Sequence, residues 1–189
     1  MKTVLSTSKN VPLQKYLDHR GEIKNGDVIL YRGNSLMSKA IHYVDNAYYN
    51  HAGVVWIPEN SDRVLTLDMW SGGLTCLPLS RRMSGYTDFC IVRPKTTDAI
   101  INEAVKTALG LWDGRDIKYD YAILFRIALI KKTGIDITGL GSKKEFICSQ
   151  FAQYYINLLG IHTYDSVELI TPQDFIRFVD ENIEIILLK

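Results

Sequence analysis

Cysteine is scarce in this 189-residue sequence, and the three present, Cys76, Cys90 and Cys148, cannot all pair within one chain. Their spacing matches no zinc or redox motif, so a reduced compartment is the simplest setting. An excess of charge is missing too: 22 Lys and Arg stand against 21 Asp and Glu, so no basic surplus points to a nucleic-acid partner. No run approaches the roughly 18 apolar residues of a membrane span. The longest candidate, Tyr121 to Ile130, is short and carries Arg126. Met1 to Asn10 lack the apolar run of a secretory signal, which leaves the cytoplasm as the expected location. There is no His-Glu-x-x-His and no paired cysteine–histidine spacing, so no metal is expected. No phosphate loop or dinucleotide fingerprint is present, so no cofactor is expected either. No repeat or low-complexity linker divides the chain, and its length suits one domain over residues 1–189.

What is present is enough for a core: 47% of residues are apolar and 23% charged. The spacing predicts a short helix over Val11 to His19, with Leu13, Tyr16 and Leu17 on one side. A strand follows from Asp27 to Tyr31, broken at Arg32-Gly33, then a helix from Leu36 to Val44. His51 to Ile57 and Arg63 to Met69 read as two strands joined by the turn cluster Pro58 to Asp62, hence an antiparallel hairpin. Leu74 to Leu79 and Asp88 to Arg93 read as further strands. A helix capped by Thr97 or Asp98 runs to Gly110. Tyr119 to Ile130 is apolar on nearly every side, as a buried helix would be. Thr171-Pro172-Gln173-Asp174 combines a cap, a first-position proline and a third-position carboxylate. Ile183 to Leu188 reads as a last strand. Helices mixed with an antiparallel sheet in this order make an α+β domain.

One late stretch, Glu145 to Gly160, organises the rest. Phe151, Tyr155, Leu158 and Leu159 fall at helical spacing, and Gly160 is a natural stop. Ser142 with Glu145 resembles a capping box, which starts the helix near Lys143. If the regular part starts near Ile147, Cys148 lies in the first turn, where free backbone N–H groups and the helix dipole favour a thiolate. The alternative is that Cys148 is a small buried hydrophobe.

A nucleophilic cysteine needs a base, and the base needs an orienting group. The histidines are His19, His42, His51 and His162. His51 opens a strong strand beside a polar loop, where side chains project into clefts. His42 reads as a helix-face residue and His162 as a loop residue. Asp68 is the odd polar residue in a β-forming run, and hairpin pairing brings it to the same end as His51. There its carboxylate could fix the imidazole tautomer. The other reading is that Val64, Thr66 and Asp68 form the solvent face of a strand.

Gly26-Asp27-Val28-Ile29-Leu30, then Asn50-His51-Ala52-Gly53-Val54-Val55, then Phe146-Ile147-Cys148-Ser149 together resemble the permuted branch of the NlpC-type papain-fold thiol hydrolases, which includes the YiiX/YaeF-like group. In that branch the histidine strand precedes the cysteine helix. The segment Thr171 to Phe175 resembles the family's ending, so the likeness covers roughly residues 26–175. It implies a circularly permuted papain-like fold with Cys148 as nucleophile, His51 as base and Asp68 at the third polar position, where many relatives have Glu. Tyr119, in Lys118-Tyr119-Asp120, resembles a family aromatic close to the site, and Tyr31 is a second candidate for the substrate cleft. The backbone N–H of Cys148 would be one oxyanion donor.

The resemblance implies cleavage of an amide bond, in a cell-wall peptide or an acylated amino acid, through a thioester. Two alternatives stand beside it: a lipid acyl hydrolase or acyltransferase, and a binding module that keeps the fold without catalysis. Apolar surface around the cleft would favour lipid, and a polar groove would favour peptide.

Overall fold

The computed structural model describes residues 11–34, 36–112, 117–137, 146–161, 169–177 and 181–186. Helix α1 (Val11–His19) leads to β1 (Val28–Gly33), α2 (Leu36–Asp45) and the hairpin β2 (His51–Trp56) and β3 (Leu65–Trp70). Then come β4 (Gly73–Pro78), α3 (Leu79–Met83), β5 (Tyr86–Pro94) and α4 (Asp98–Trp112). Helices α5 (Tyr121–Thr133), α6 (Cys148–Leu158) and α7 (Asp174–Arg177) precede β6 (Ile183–Ile186). The six strands form one sheet in the order β4-β3-β2-β1-β5-β6, with every pairing antiparallel. The architecture is α+β, as the pattern of elements implied.

The central strands read as unbroken apolar runs because the sheet is covered on both faces. Val28, Leu30, Val54, Leu67 and Met69 pack with Val105 and Ala108 of α4 and with Phe151, Ala152 and Tyr155 of α6. Their neighbours in the period-two alternation, Ile29, Tyr31, Val55, Phe89 and Ile91, meet Tyr16 of α1 and Leu79 and Met83 of α3. Helix α3 gives little sequence signal: it has five residues, of which Leu79 and Met83 are fully buried. Burial of two such side chains, at roughly 1.5–3 kcal/mol each, holds a helix far too short to persist alone. Its position overturns the reading of Thr66 and Asp68 as a solvent face, since both are fully buried.

Three other expectations are corrected. Leu17 of α1 does not share the buried side of Tyr16; it is 53% exposed. The strand does not break at Arg32-Gly33 but continues through an irregularity in its pairing with β5. Helix α5 buries only Ile123, Arg126 and Ile127, while Tyr121 and Phe125 are 50% and 61% exposed. It lies beside α2 over Ile147, and its second apolar stripe stays open. Expectations at Ser142, Glu145 and His162 lie outside the described residues.

The ends of the elements follow their local chemistry. Asp120 caps α5 by accepting from the Ile123 amide at 2.8 Å. Gly160 takes the left-handed conformation (φ 76°) that stops α6. Thr171 donates both its amide (2.9 Å) and its hydroxyl (2.7 Å) to Asp174 Oδ2 at the expected helix start. Gly26 has φ 82°, and a Cβ there would lie 2.5 Å from the Tyr155 hydroxyl, so both backbone and space require glycine. No helix among the described residues is long and apolar enough to cross a membrane.

Candidate active site

Cys148 is the first residue of α6, placed by attachments on both sides. Phe146 bridges to Tyr119: its amide donates to the Lys118 carbonyl at 3.2 Å and its carbonyl accepts from the Asp120 amide at 3.2 Å. Ile147, in extended conformation, donates its amide to Gln150 Oε1 at 2.9 Å, which caps the helix one residue before the cysteine. Ser149 donates its hydroxyl to the Ile170 carbonyl at 2.6 Å. The helix thus begins at the later of the two anticipated points. The Cys148 amide lies in the first turn, where helical geometry supplies no partner for it.

His51 is the first residue of β2, paired with Tyr31 of β1. Its Nε2 lies 3.1 Å from Asp68 Oδ2, and its ring lies close enough to Cys148 to feel that residue electrostatically. With Nε2 engaged by the carboxylate, Nδ1 is the nitrogen left for the sulfur. Gly53 leaves room for this arrangement: a Cβ there would lie 2.6 Å from Thr66 Oγ1 and 3.1 Å from Asp68 Cβ. Burial is the largest influence on the His51 ring and favours its neutral form. Interaction with Cys148 and with Asp68 outweighs it and raises the imidazole to about 9.

Asp68 is fixed by two other groups. Its Oδ1 accepts from Arg82 at 2.7 Å and from Thr75 Oγ1 at 2.7 Å, and Arg82 also donates to Thr75 at 3.0 Å. The His51 ring sits in an aromatic setting, edge-on to Trp70 (5.1 Å), stacked near Tyr86 (5.8 Å) and tilted to Tyr31 (5.6 Å).

The structure therefore brings Cys148, His51, Asp68 and Tyr119 to one place. Tyr119 feels the charge of Cys148, and its phenol is raised above the usual range by burial first and by Cys148 and Tyr121 after it. Tyr31 is the strand partner of His51 but is fully buried, bonded to Thr66 Oγ1 at 3.0 Å, and walls neither cavity beside the pair. His19 turns to Glu22 (2.8 Å) and His42 to the Ala47 carbonyl (2.5 Å).

Two cavities of ≈ 270 Å³ each flank the pair and share Ile41, Asn50, Tyr119 and Tyr121. The one on the cysteine side is walled chiefly by Leu124, Phe125, Ile127, Ala128 and Ile147. The one on the histidine side adds His51, Trp70, Ser71 and Tyr86. Sequence reasoning missed Asn50, Trp70, Arg82 and Tyr86. Of these only Asn50, beside His51, carried a signal. It ties the end of β1 to α2 through Gly33 (2.9 Å) and the Ser38 carbonyl (3.5 Å).

No family model matches this chain, and no curated protein matches it. Solved structures do. The crystal structure of the metalloprotein YiiX from Escherichia coli O157:H7, of DUF1105, aligns with a TM-score of 0.62 at 13% identity, over 88% of this chain and 97% of its own. Among the described residues here, no group of three or more His, Cys, Asp or Glu side chains is placed to hold a metal ion. The carboxylate at the site is already taken up: Asp68 gives Oδ2 to His51 and Oδ1 to Arg82 and Thr75, and the Arg82 cation stands beside it. This donor set does not fit a metal centre. At 13% identity the likeness establishes the fold alone, and the chain has a YiiX-like α+β architecture.

Proposed function

We propose that this protein is a thiol hydrolase of circularly permuted papain-like, NlpC-type architecture that cleaves the amide bond of an acylated small molecule. The observation that carries the reading is the convergence of Cys148 with the His51–Asp68 pair at the boundary between two adjoining cavities. A merely structural buried cysteine has no need of a histidine held by a buried carboxylate. The apolar walls on the cysteine side favour an acyl chain over a cell-wall peptide.

The Cys148 thiolate attacks the acyl carbon, forming a C–S bond and an oxyanion held by the Cys148 backbone N–H. As the C–N bond breaks, the amine takes a proton from the His51 imidazolium. Water then attacks the thioester and gives its proton to His51. The C–S bond breaks, the carboxylic acid leaves, and the thiolate returns. Asp68 keeps the imidazole oriented through both steps. The exposed Tyr121 and Phe125 at the apolar cavity also favour a second reading, a lipid ester as the acyl donor. The chemistry would be the same, with a C–O bond broken.

The test is to offer N-octanoylglycine and an octanoyl glycerol ester, quench in acid and weigh the intact protein. An octanoyl adduct on the Cys148 peptide is expected. Turnover in Cys148→Ser should fall on the order of 10⁴-fold. Unchanged turnover in that variant would remove the assignment and favour a binding module.

A further inference from the structure

The cavity on the histidine side continues into another of ≈ 370 Å³, and Ser38, Trp70 and Tyr86 wall both. The farther cavity adds Arg81 and Arg82 from α3, and no acidic side chain stands among its described walls. Arg82 is committed to Asp68 and Thr75. Arg81 is exposed and makes no ion pair among the described residues. Two further donors in these walls lack acceptors among the described residues: Arg82 Nε and the Tyr86 hydroxyl are both buried without a hydrogen-bond partner there. Such orphaned buried donors are rare and costly. The Arg81 guanidinium, with no ion pair among the described residues, and the two unanswered donors complement an acceptor-rich anion, with Asp68 already occupied by the other arm of Arg82.

We infer that this arginine-walled cavity is the subsite for the leaving group, and that the leaving group carries a carboxylate or a phosphate. The inference rests on the Cys148–His51 reading, which sets the scissile bond between the two flanking cavities. The acyl chain lies on the cysteine side, and the anion lies beyond His51. Arg81 is then the specificity-determining residue, since its planar fork matches either anion in two-point contact. Arg82 is a poor subject for substitution because it also holds Asp68.

The test is binding to the Cys148→Ala protein, which needs no turnover, measured by calorimetry with two matched pairs. One pair is N-octanoylglycine and N-octanoylglycinamide. The other is N-octanoyl-phosphoethanolamine and N-octanoylethanolamine. At least one anionic ligand should bind on the order of tenfold more tightly than its neutral partner. The pair with the larger ratio tells carboxylate from phosphate. Adding Arg81→Gln should remove the preference, Arg81→Lys should restore part of it, and salt should shrink it. Equal binding within both pairs, a preference untouched by Arg81→Gln, or no binding of any of the four ligands would overturn the subsite. Anion preference in a protein whose wild type never hydrolyses these amides would sink the hydrolase reading alone. Hydrolysis without anion preference would sink the subsite alone.

Discussion

Two buried aspartates, Asp27 and Asp68, each meet an arginine, yet their surroundings differ in one respect. Asp27 is saturated by structural partners. Its Oδ1 accepts from Arg93 Nε at 2.8 Å, and its Oδ2 from the other arm of Arg93 at 2.8 Å and from the Lys24 amide at 2.7 Å. Asp68 gives Oδ1 to Arg82 and Thr75 and turns Oδ2 to a histidine, which in turn meets a cysteine. A buried carboxylate–arginine pair is therefore not a functional signal by itself. The signal is the oxygen left for a titrating partner whose far side meets a nucleophile at a cavity. By this measure the Gly26-Asp27 opening is a device of the fold, and the His51–Asp68 end is the candidate site.

The largest expected separation of the two ends comes from one substitution made at each. Asp68→Asn keeps the shape but loses the acceptor for the imidazole, and should lower kcat on the order of 10²- to 10⁴-fold. Asp27→Asn leaves Arg93 without its counter-charge and should cost about 3 kcal/mol of stability, with kcat per folded molecule retained. Urea unfolding and single-turnover rates on both variants decide the matter. Equal losses of kcat would erase the distinction.

A smaller effect separates the ends by pH. The folded-state pKa of His51 is raised to about 9, so its contribution to stability is fully present below the ordinary histidine value and is lost as pH rises through about 9. Each tenfold change in proton affinity between the folded and unfolded chain is worth about 1.4 kcal/mol. Unfolding free energies measured from about pH 6 to about pH 10 should therefore fall in the wild type and flatten in His51→Gln. Parallel curves would contradict it. At the other end, burial holds the Asp27 carboxyl above its ordinary value despite Arg93. The folded state keeps that proton longer, so this effect acts on the acid side, with stability falling as the carboxyl ionises.

Periodicity and turn chemistry carried much of the architecture. The hairpin was legible because Pro58 to Asp62 separates two β-forming runs, and from the hairpin came the meeting of His51 and Asp68. The start of α6 was legible only as two options, since the choice rests on a bridge between Tyr119 and Phe146 that is distant in sequence. Helix α3 was not legible: in Leu-Ser-Arg-Arg-Met only two residues are apolar, and what fixes it is the sheet face it covers. With α3 unread, the burial of Asp68 and the role of Arg82 were out of reach. The exposed stripe of α5 was misread for a related reason. Apolar residues on every side of a helix show what it can bury, whereas its neighbours decide what it does bury.

The most direct measurement is the rate of alkylation by iodoacetamide at about pH 6, below the ordinary thiol range, resolved for each cysteine and repeated on His51→Ala. Cys90, whose thiol burial pushes up to about 12, and Cys76, also raised by burial, are the internal controls. Cys148 should label on the order of 100-fold faster than either control, because an imidazolium beside it favours the thiolate, and the advantage should disappear with His51. Labelling of Cys148 at the pace of the controls, or fast labelling that survives loss of His51, would contradict an activated Cys148–His51 pair.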